Sequence, residues 1–350
     1  MEGKLFSQAF EAIKSSIGGY VDAHPACADS KVVERLSEPE CCVAFPVLWL
    51  DDDGEVQINK GYYVQHCGAL GPFAISLRFH SSVDLDSIAF LALEKTFAGA
   101  SEDVPFGGAA AGSDFCPRGK SEPEIMSFCK SFMTELQKYL SPGSRFPQAE
   151  MGVSRREIEF MAGQYRRMSG EWCELSEASA ELPEIDLAGK TVALSGAGKT
   201  AQKVVRDAIA AGARVVTMSD SDGFIYDRAG IDADKLAYIC ELKNEFCGRL
   251  KAYASKYPQA EYFAGERPWS VKCDVAIPCA CENEIDGTAA KALLKNGCSC
   301  VAEMSIMSCT EDASCAFEKA GICFIPGYAC GQRAEEAFAR ISDAIIAQGL

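Results

Sequence analysis

Apolar residues recur with helical spacing over Gln8–Gly18 and Lys31–Leu36, then give way to a continuous β-prone run at Cys42–Leu50. Asp51-Asp52-Asp53-Gly54 supplies a D-G turn, and Glu55–Val64 continues as a second strand, so this region predicts a hairpin. Helical periodicity returns over Ser87–Phe97 and Glu122–Leu140, the second helix ending at Ser141-Pro142-Gly143. Between them Pro105–Gly112, rich in glycine and alanine, reads as a loop that lets the backbone approach something closely. The acidic stretch 171–187 reads as an interdomain connection. Beyond it the pattern alternates. Strands are expected at Thr191–Ser195, Arg214–Met218, Asp274–Ile277, Cys300–Ala302 and Ile322–Ile325. Helices are expected at Gln202–Ala211, over a long span Asp234–Tyr257, and at Ala334–Gln348. Such βαβ alternation predicts an α/β fold with a mostly parallel, doubly wound sheet.

Length and composition agree with two domains. The 350 residues are 48% hydrophobic and 24% charged, and no run approaches eighteen apolar residues, so no membrane span is expected. Lys and Arg total 34 against 50 Asp and Glu, a net charge of −16 that repels phosphate backbones and argues against nucleic acid. Met1–Lys14 carries acids and lacks an apolar export segment, which points to the cytoplasm, where thiols stay reduced. The 18 cysteines include no C-x-x-C; the nearest arrangements are Cys41-Cys42, Cys279-x-Cys281 and Cys298-x-Cys300. A C-x-C within a strand would turn both thiols to one face, so a four-thiolate site from 279, 281, 298 and 300 is conceivable. Zinc favours wider spacings, and His24, His66 and His80 all lie far along the chain from these thiols. No metal site is assigned, and the cysteines are read as small core residues.

The chemistry-bearing motif is Gly196-Ala197-Gly198-Lys199-Thr200-Ala201, which fits G-x-G-x-x-A directly after a strand and opening a helix. The first glycine permits the tight turn, the second lets a pyrophosphate approach, and the helix N-terminus offers unpaired N–H groups. Lys199 either adds a charge for phosphates or is a solvated first-turn lysine. Asp220, preceded by Ser219 at the end of the next strand, stands where a ribose 2′-hydroxyl would be held.

The two halves together resemble the hexameric glutamate dehydrogenases of the Glu/Leu/Phe/Val amino-acid dehydrogenase family. The likeness runs through 45–115, including Gly71-Pro72-Phe73-Ala74 and Pro105-Phe-Gly-Gly-Ala-Ala-Ala-Gly112, through 119–170, and through 189–227 and 274–284. It implies residues 1–186 as a substrate and oligomerisation domain, 187–332 as a Rossmann-type dinucleotide domain, and 333–350 as a helix returning to the first. It also implies NAD or NADP as cofactor and an oligomer, formed with itself or with a related dehydrogenase. Asp220 alone favours NAD, whereas Ser219-Asp-Ser-Asp-Gly223 is similar to a pattern of NADP-linked members, so the nucleotide stays open.

The departures from the family are informative. By the resemblance, the lysine that grips the substrate carboxylate falls on Ala74, its neighbour on Ala98, and the catalytic lysine on Ala110. The proton-relay aspartate falls on Glu150. A methyl group neither binds an anion nor moves a proton. A family segment expected near 171–188 has no counterpart, Ile306 replaces an asparagine, and Tyr328–Arg333 runs straight into the last helix. Lys95, one turn before Ala98, is expected on a different helix face, and Arg155 and Arg156 on a solvated one. No catalytic residue is assigned. The expectation is a catalytically silent relative acting in structure, regulation or sensing. The alternatives are an oxidoreductase acting on an amino acid or on an altered, neutral substrate, and a metal- or thiol-responsive module.

Overall fold

The hairpin expected around Asp51–Gly54 forms one edge of a five-stranded sheet. The computed structural model describes residues 4–102, 104–140, 143–170, 185–246, 248–327 and 332–348; most of the connection at 171–187, the Ser141-Pro142 stop and Tyr328–Gly331 lie outside them. Two units are formed, Met1–Ala178 with Ala329–Leu350, and Ser179–Tyr328.

The first unit opens with α1 (Lys4–Ala23), α2 (Pro25–Asp29) and α3 (Val32–Leu36). Then follow β1 (Cys41–Leu50), β2 (Val56–Cys67), β3 (Phe73–Phe79), α4 (Leu85–Ser101), β4 (Gly107–Ser113), α5 (Glu122–Leu136), β5 (Arg145–Ala149) and α6 (Arg155–Ser169). Helices α4, α5 and α6 each begin with a reciprocal capping box, at Asp84/Ser87, Ser121/Glu124 and Ser154/Glu157, so their start points are written locally. The sheet order is β1-β2-β4-β3-β5, antiparallel on the β1 side and parallel on the β5 side. One face packs on α5 and α6 through an aromatic core in which Phe115 and Phe128 stack at 3.8 Å, with Phe79 edge-on to both. The other face carries α4.

The Gly/Ala-rich segment corrects the sequence reading. Gly107–Ser113 is not a loop but the central, wholly buried strand. Its glycines are there for a neighbouring backbone: a Cβ on Gly108 would lie 2.2 Å from Thr96 N and Oγ1 and 2.6 Å from Ala92 O, both on α4. Helix and strand meet main chain to main chain, as glycine within a strand often signals. Thr96 also hydrogen-bonds His66 on β2 (2.8 Å to Nδ1), while His66 Nε2 reaches Leu36 O of α3 at 3.0 Å. A neutral imidazole donates through Nε2, and the Thr96 hydroxyl shares its one proton between His66 Nδ1 and Ala92 O (3.0 Å).

The second unit contains β6 (Thr191–Leu194), α7 (Lys199–Ala210), β7 (Arg214–Val215), β8 (Thr217–Asp220) and β9 (Gly223–Tyr226). It continues with α8 (Ala233–Asn244), α9 (Lys251–Lys256), β10 (Glu261–Ala264), β11 (Val275–Ile277), α10 (Gly287–Lys295), β12 (Cys300–Ala302), α11 (Glu311–Ala320) and β13 (Cys323–Ile325). The parallel sheet has order β13-β12-β11-β6-β7. Val192, Leu194, Val275 and Ile277 enter one core with residues of α7, α8 and α9, whereas Ala193, Ala276 and Val301 enter another with residues of α10 and α11. Helices therefore cover both faces, the doubly wound arrangement expected. Two expectations change. The strand at Arg214–Met218 splits, its end joining an antiparallel sheet β8-β9-β10. The long helix breaks into α8 and α9, where Gly248 N donates to Leu242 O and Leu250 N is drawn to the Asp220 carboxylate. The last helix, α12 (Gln332–Ala347), packs on α4 and α1 in the first unit.

Gly108→Ala should lower the stability of the first unit by about 3 kcal/mol, since neither contacting backbone can yield cheaply; an unchanged urea midpoint would contradict the contact. Burial, offset in part by the bond to Leu36, presses the His66 pKa from 6.5 down to about 4. The unfolded imidazole then binds a proton that the fold refuses between those values. Stability should be complete above pH 6.5 and fall toward pH 4 by up to about 3 kcal/mol, a dependence that His66→Gln removes in urea titrations at stepped pH.

Candidate functional site

In the second unit the buried strand β6 delivers the chain into the glycine turn. Ser195, fully buried, donates its hydroxyl to Glu284 Oε1 (2.8 Å) and accepts from Cys279 N (2.9 Å), which fixes where the turn begins. Gly196 has φ +82° and a Cβ there would stand 2.7 Å from Cys279 O, so only glycine fits. Gly196 N donates to Ser219 Oγ at 2.8 Å, tying the turn to β8. Ala197 is buried and its carbonyl accepts from Gln202. Gly198 is the N-cap of α7, extended, exposed and without a side-chain cap, and nothing lies within 4 Å of a Cβ built on it. Lys199 is exposed and Thr200 half-exposed in the first turn. The turn thus combines a locked first glycine, open space at the second and an uncapped helix start, an arrangement that fits a pyrophosphate.

Ser219 and Asp220 are differently disposed. Ser219 is buried and its hydroxyl is taken by Gly196 N. Asp220 ends β8, but its Oδ2 accepts from Leu250 N (2.9 Å) and the Lys243 ammonium (3.2 Å), and its Oδ1 from Asp222 N (3.0 Å). Burial alone would raise its pKa, yet these donors outweigh it and hold the carboxyl below its ordinary value. Its side chain is only 6% exposed, so this carboxylate fastens α8 and the start of α9 to the hairpin. The exposed groups at this corner are Ser221 and Asp222, both held by Arg249. Nothing in the spacing of Asp220, Lys243 and Leu250 announces this contact.

Neither C-x-C lies within a strand: β11 ends at Ile277 and β12 begins at Cys300. Cys298 joins the core cluster of α10 and α11 and Cys300 the opposite one, so the two thiols do not share a face. Among the described residues no three His, Cys, Asp or Glu side chains converge as a metal site.

In the first unit the three alanines occupy the α4 side of the sheet. Ala74 of β3 pairs with Gly108, and Ala110 of β4, fully buried, pairs with Ser76 of β3; Ala98 is exposed on α4. Ser76 in turn pairs with Gln148 of β5, so Ala110, Ser76 and Gln148 form one row across three strands. Lys95 reaches that row, its ammonium donating to Gln148 Oε1. Glu150, just beyond β5, lies 3.5 Å from Ser76 Oγ through Oε1. Burial presses the Lys95 pKa below its ordinary value, while Glu150 and Glu102 pull it upward. Lys95 thus reaches the row of Ala110 while Ala98, three residues on, is exposed. Arg155 and Arg156 are exposed at the start of α6 and ion-pair with Glu159 and Glu157.

A doubly wound unit with a phosphate-type turn, joined in one chain to a mixed-sheet α/β unit, defines a two-domain α/β protein of the dehydrogenase class. The chain belongs to the Glu/Leu/Phe/Val dehydrogenase family: the model of the family's dehydrogenase domain matches 172–332 and that of its dimerisation domain matches 39–167. It is 40% identical to a glutamate dehydrogenase of Bacteroides thetaiotaomicron over 93% of this chain and 78% of the relative. It is 39% identical, with the same coverage, to an NADP-specific glutamate dehydrogenase of Salmonella typhimurium. Among solved structures, a glutamate dehydrogenase superposes with TM-score 0.86 at 35% identity over 97% of this chain and 86% of that one. A hetero-hexameric glutamate dehydrogenase of Thermus thermophilus, at 21% identity, TM-score 0.76 and coverage of 99% and 90%, shares the fold.

Asp220→Asn separates two roles for this carboxylate. The structural contacts predict a loss of about 1–3 kcal/mol in thermal or urea stability with nucleotide affinity within about twofold of the parent. A selective loss of affinity with unchanged stability would mean that Asp220 serves a ribose instead.

Proposed function

We propose that this glutamate-dehydrogenase-like chain is a catalytically silent member of its family, acting in structure, regulation or sensing. The observation that carries the reading is alanine at 74, 98 and 110, where the family resemblance expects cations. A substrate carboxylate needs an opposed cation and hydride chemistry at carbon needs a titratable group for the accompanying proton; methyl groups supply neither. The complete burial of Ala110 supports the same reading, because the α4 face has closed over that position.

Residues 1–186 are taken as the substrate and oligomerisation domain, 187–332 as the dinucleotide domain and 333–350 as a helix returning to the first. Gly196, Ala197, Gly198, Lys199 and Thr200 would hold the pyrophosphate of NAD or NADP, with Ser219 bracing the turn through Gly196 N and Asp220 holding the end of β8 beside it. A bound nicotinamide nucleotide would supply hydride acceptance or donation. Assembly with itself or with a related dehydrogenase is proposed from the family's dimerisation-domain match and from the hetero-hexameric relative. The cytoplasm is the proposed location, and among the described residues no helix is long and apolar enough to cross a membrane.

One observation favours a second reading, an oxidoreductase with an altered substrate: Lys95 and Glu150 keep an ammonium and a carboxylate beside the row of Ala110, Ser76 and Gln148. In that case Lys95→Met would abolish turnover while leaving nucleotide binding intact.

The deciding experiment is titration with NADH and NADPH followed by reductive amination of 2-oxoglutarate and oxidation of glutamate. Silence predicts rates at least about 10⁴-fold below the usual range of about 1–10³ s⁻¹. Turnover within that range overturns the reading, whichever nucleotide supports it.

A further inference from the structure

We infer that Cys300 and Cys323 form a peroxide-oxidisable dithiol that closes into a disulfide at the edge of the parallel sheet. The two residues are direct Cα partners in the β12–β13 ladder. Neighbouring strands run about 4.8 Å apart, and paired residues face the same side, within the roughly 4.4–6.8 Å between Cα atoms that a disulfide spans. The ladder thus already sets the two residues side by side. The Cys323 thiol lies close enough to add to the rise in the Cys300 pKa.

The two positions differ in access. β13 is the edge strand and Cys323 is exposed, whereas Cys300 is only 5% exposed. Burial, reinforced by the neighbouring Cys323 thiol, pushes the Cys300 thiol up to about 12, so it is a poor first nucleophile. Cys323 is therefore the attacking thiol and Cys300 the resolving one. In the first step the Cys323 sulfur attacks a hydroperoxide; the O–O bond breaks, an S–O bond forms, and the departing oxygen leaves as water or alcohol with the thiol proton. In the second the Cys300 sulfur attacks the sulfenic sulfur; the S–O bond breaks, the S–S bond forms, and hydroxide leaves as water with the Cys300 proton. Two thiols lose two electrons and one hydroperoxide gains them.

The bridge would staple the three-residue strand β13, which carries only one neighbour in the sheet, across the segment 300–323 that contains α11. A short edge strand is the part of a sheet that detaches most readily, and the cross-link removes that freedom.

The test uses the full chain, reduced, treated with hydrogen peroxide, blocked with iodoacetamide and mapped by fragmentation of non-reduced tryptic peptides, which cleavage at Lys319 places on separate fragments. The expected result is a Cys300–Cys323 bridge and a rise in Tm of roughly 5 °C that dithiothreitol reverses. Cys300→Ser should leave Cys323 as a sulfenic acid that dimedone captures. Wild-type protein in which Cys323 is alkylated or over-oxidised while Cys300 stays free, or in which Cys300 bridges to Cys298, overturns the inference.

Discussion

The first unit depends on one close contact, the main chain of α4 against the main chain of β4 at Gly108. Because no Cβ intervenes, Thr96 can serve both the strand and the imidazole of His66, and His66 passes the constraint to α3 through Leu36 O. Two helices, α4 and α3, are thereby set in depth relative to the sheet. The space between α4 and the sheet is narrow for the same reason, and small residues line it: Ala92 on the helix, Ala74 and Ser76 on β3, Ala110 on β4. A long side chain at 110 needs an outlet along this seam. With Ala110 fully buried the seam has none there, so the alanine is a packed part of the scaffold.

Polar groups in the second unit follow a parallel logic. The glycine turn is held from beneath by side chains: Ser195 by Glu284 and Cys279, Gly196 by Ser219, and the β8 corner by Asp220 with Lys243. Glu284 illustrates the strength of that framework. Its Oε1 accepts from Ser195 Oγ and Ala280 N and Arg267 lies 3.5 Å from its Oε2, yet burial still raises its pKa. A turn braced in this way keeps its shape without a ligand. Retention of a nucleotide-type turn is consequently what the fold itself requires, and it carries less functional information than the lysine positions do.

The course of the chain was largely legible because most elements advertise themselves locally. A β-prone run and a D-G turn mark the hairpin, capping pairs mark α4, α5 and α6, and buried three- or four-residue runs mark β6, β11 and β12. What escaped was set by tertiary contact. Gly107–Ser113 lacks the large β-branched residues of a central strand, since their volume is supplied by α4 pressing on the backbone. The break between α8 and α9 comes from Asp220, thirty positions before Leu250, competing for its N–H. At the candidate site, the glycine turn could be read from spacing alone. That Asp220 is structurally engaged, and that Lys95 lies over the Ala110 row, could not, because each depends on a partner distant along the chain.

These contrasts bear on how such a chain diverges. Its glycines persist where a Cβ would strike backbone: Gly108 against Thr96 N, Gly152 at 1.8 Å from Phe79 O, Gly196 against Cys279 O. Each is demanded by main chain that yields only at a cost in stability. No comparable demand exists for a lysine at 74, 98 or 110, and at the fully buried position 110 a methyl satisfies the packing and spares the desolvation of an ammonium. Loss of the cations would thus be neutral or favourable for stability, while loss of the glycines would not. A family member freed from its reaction should then drift in this direction: scaffold positions held by steric necessity, chemical positions replaced by the smallest side chain that fills the space. Along β3, β4 and the turn after β6 the chain places glycine where main chain presses on main chain, and alanine or serine where α4 leaves little room.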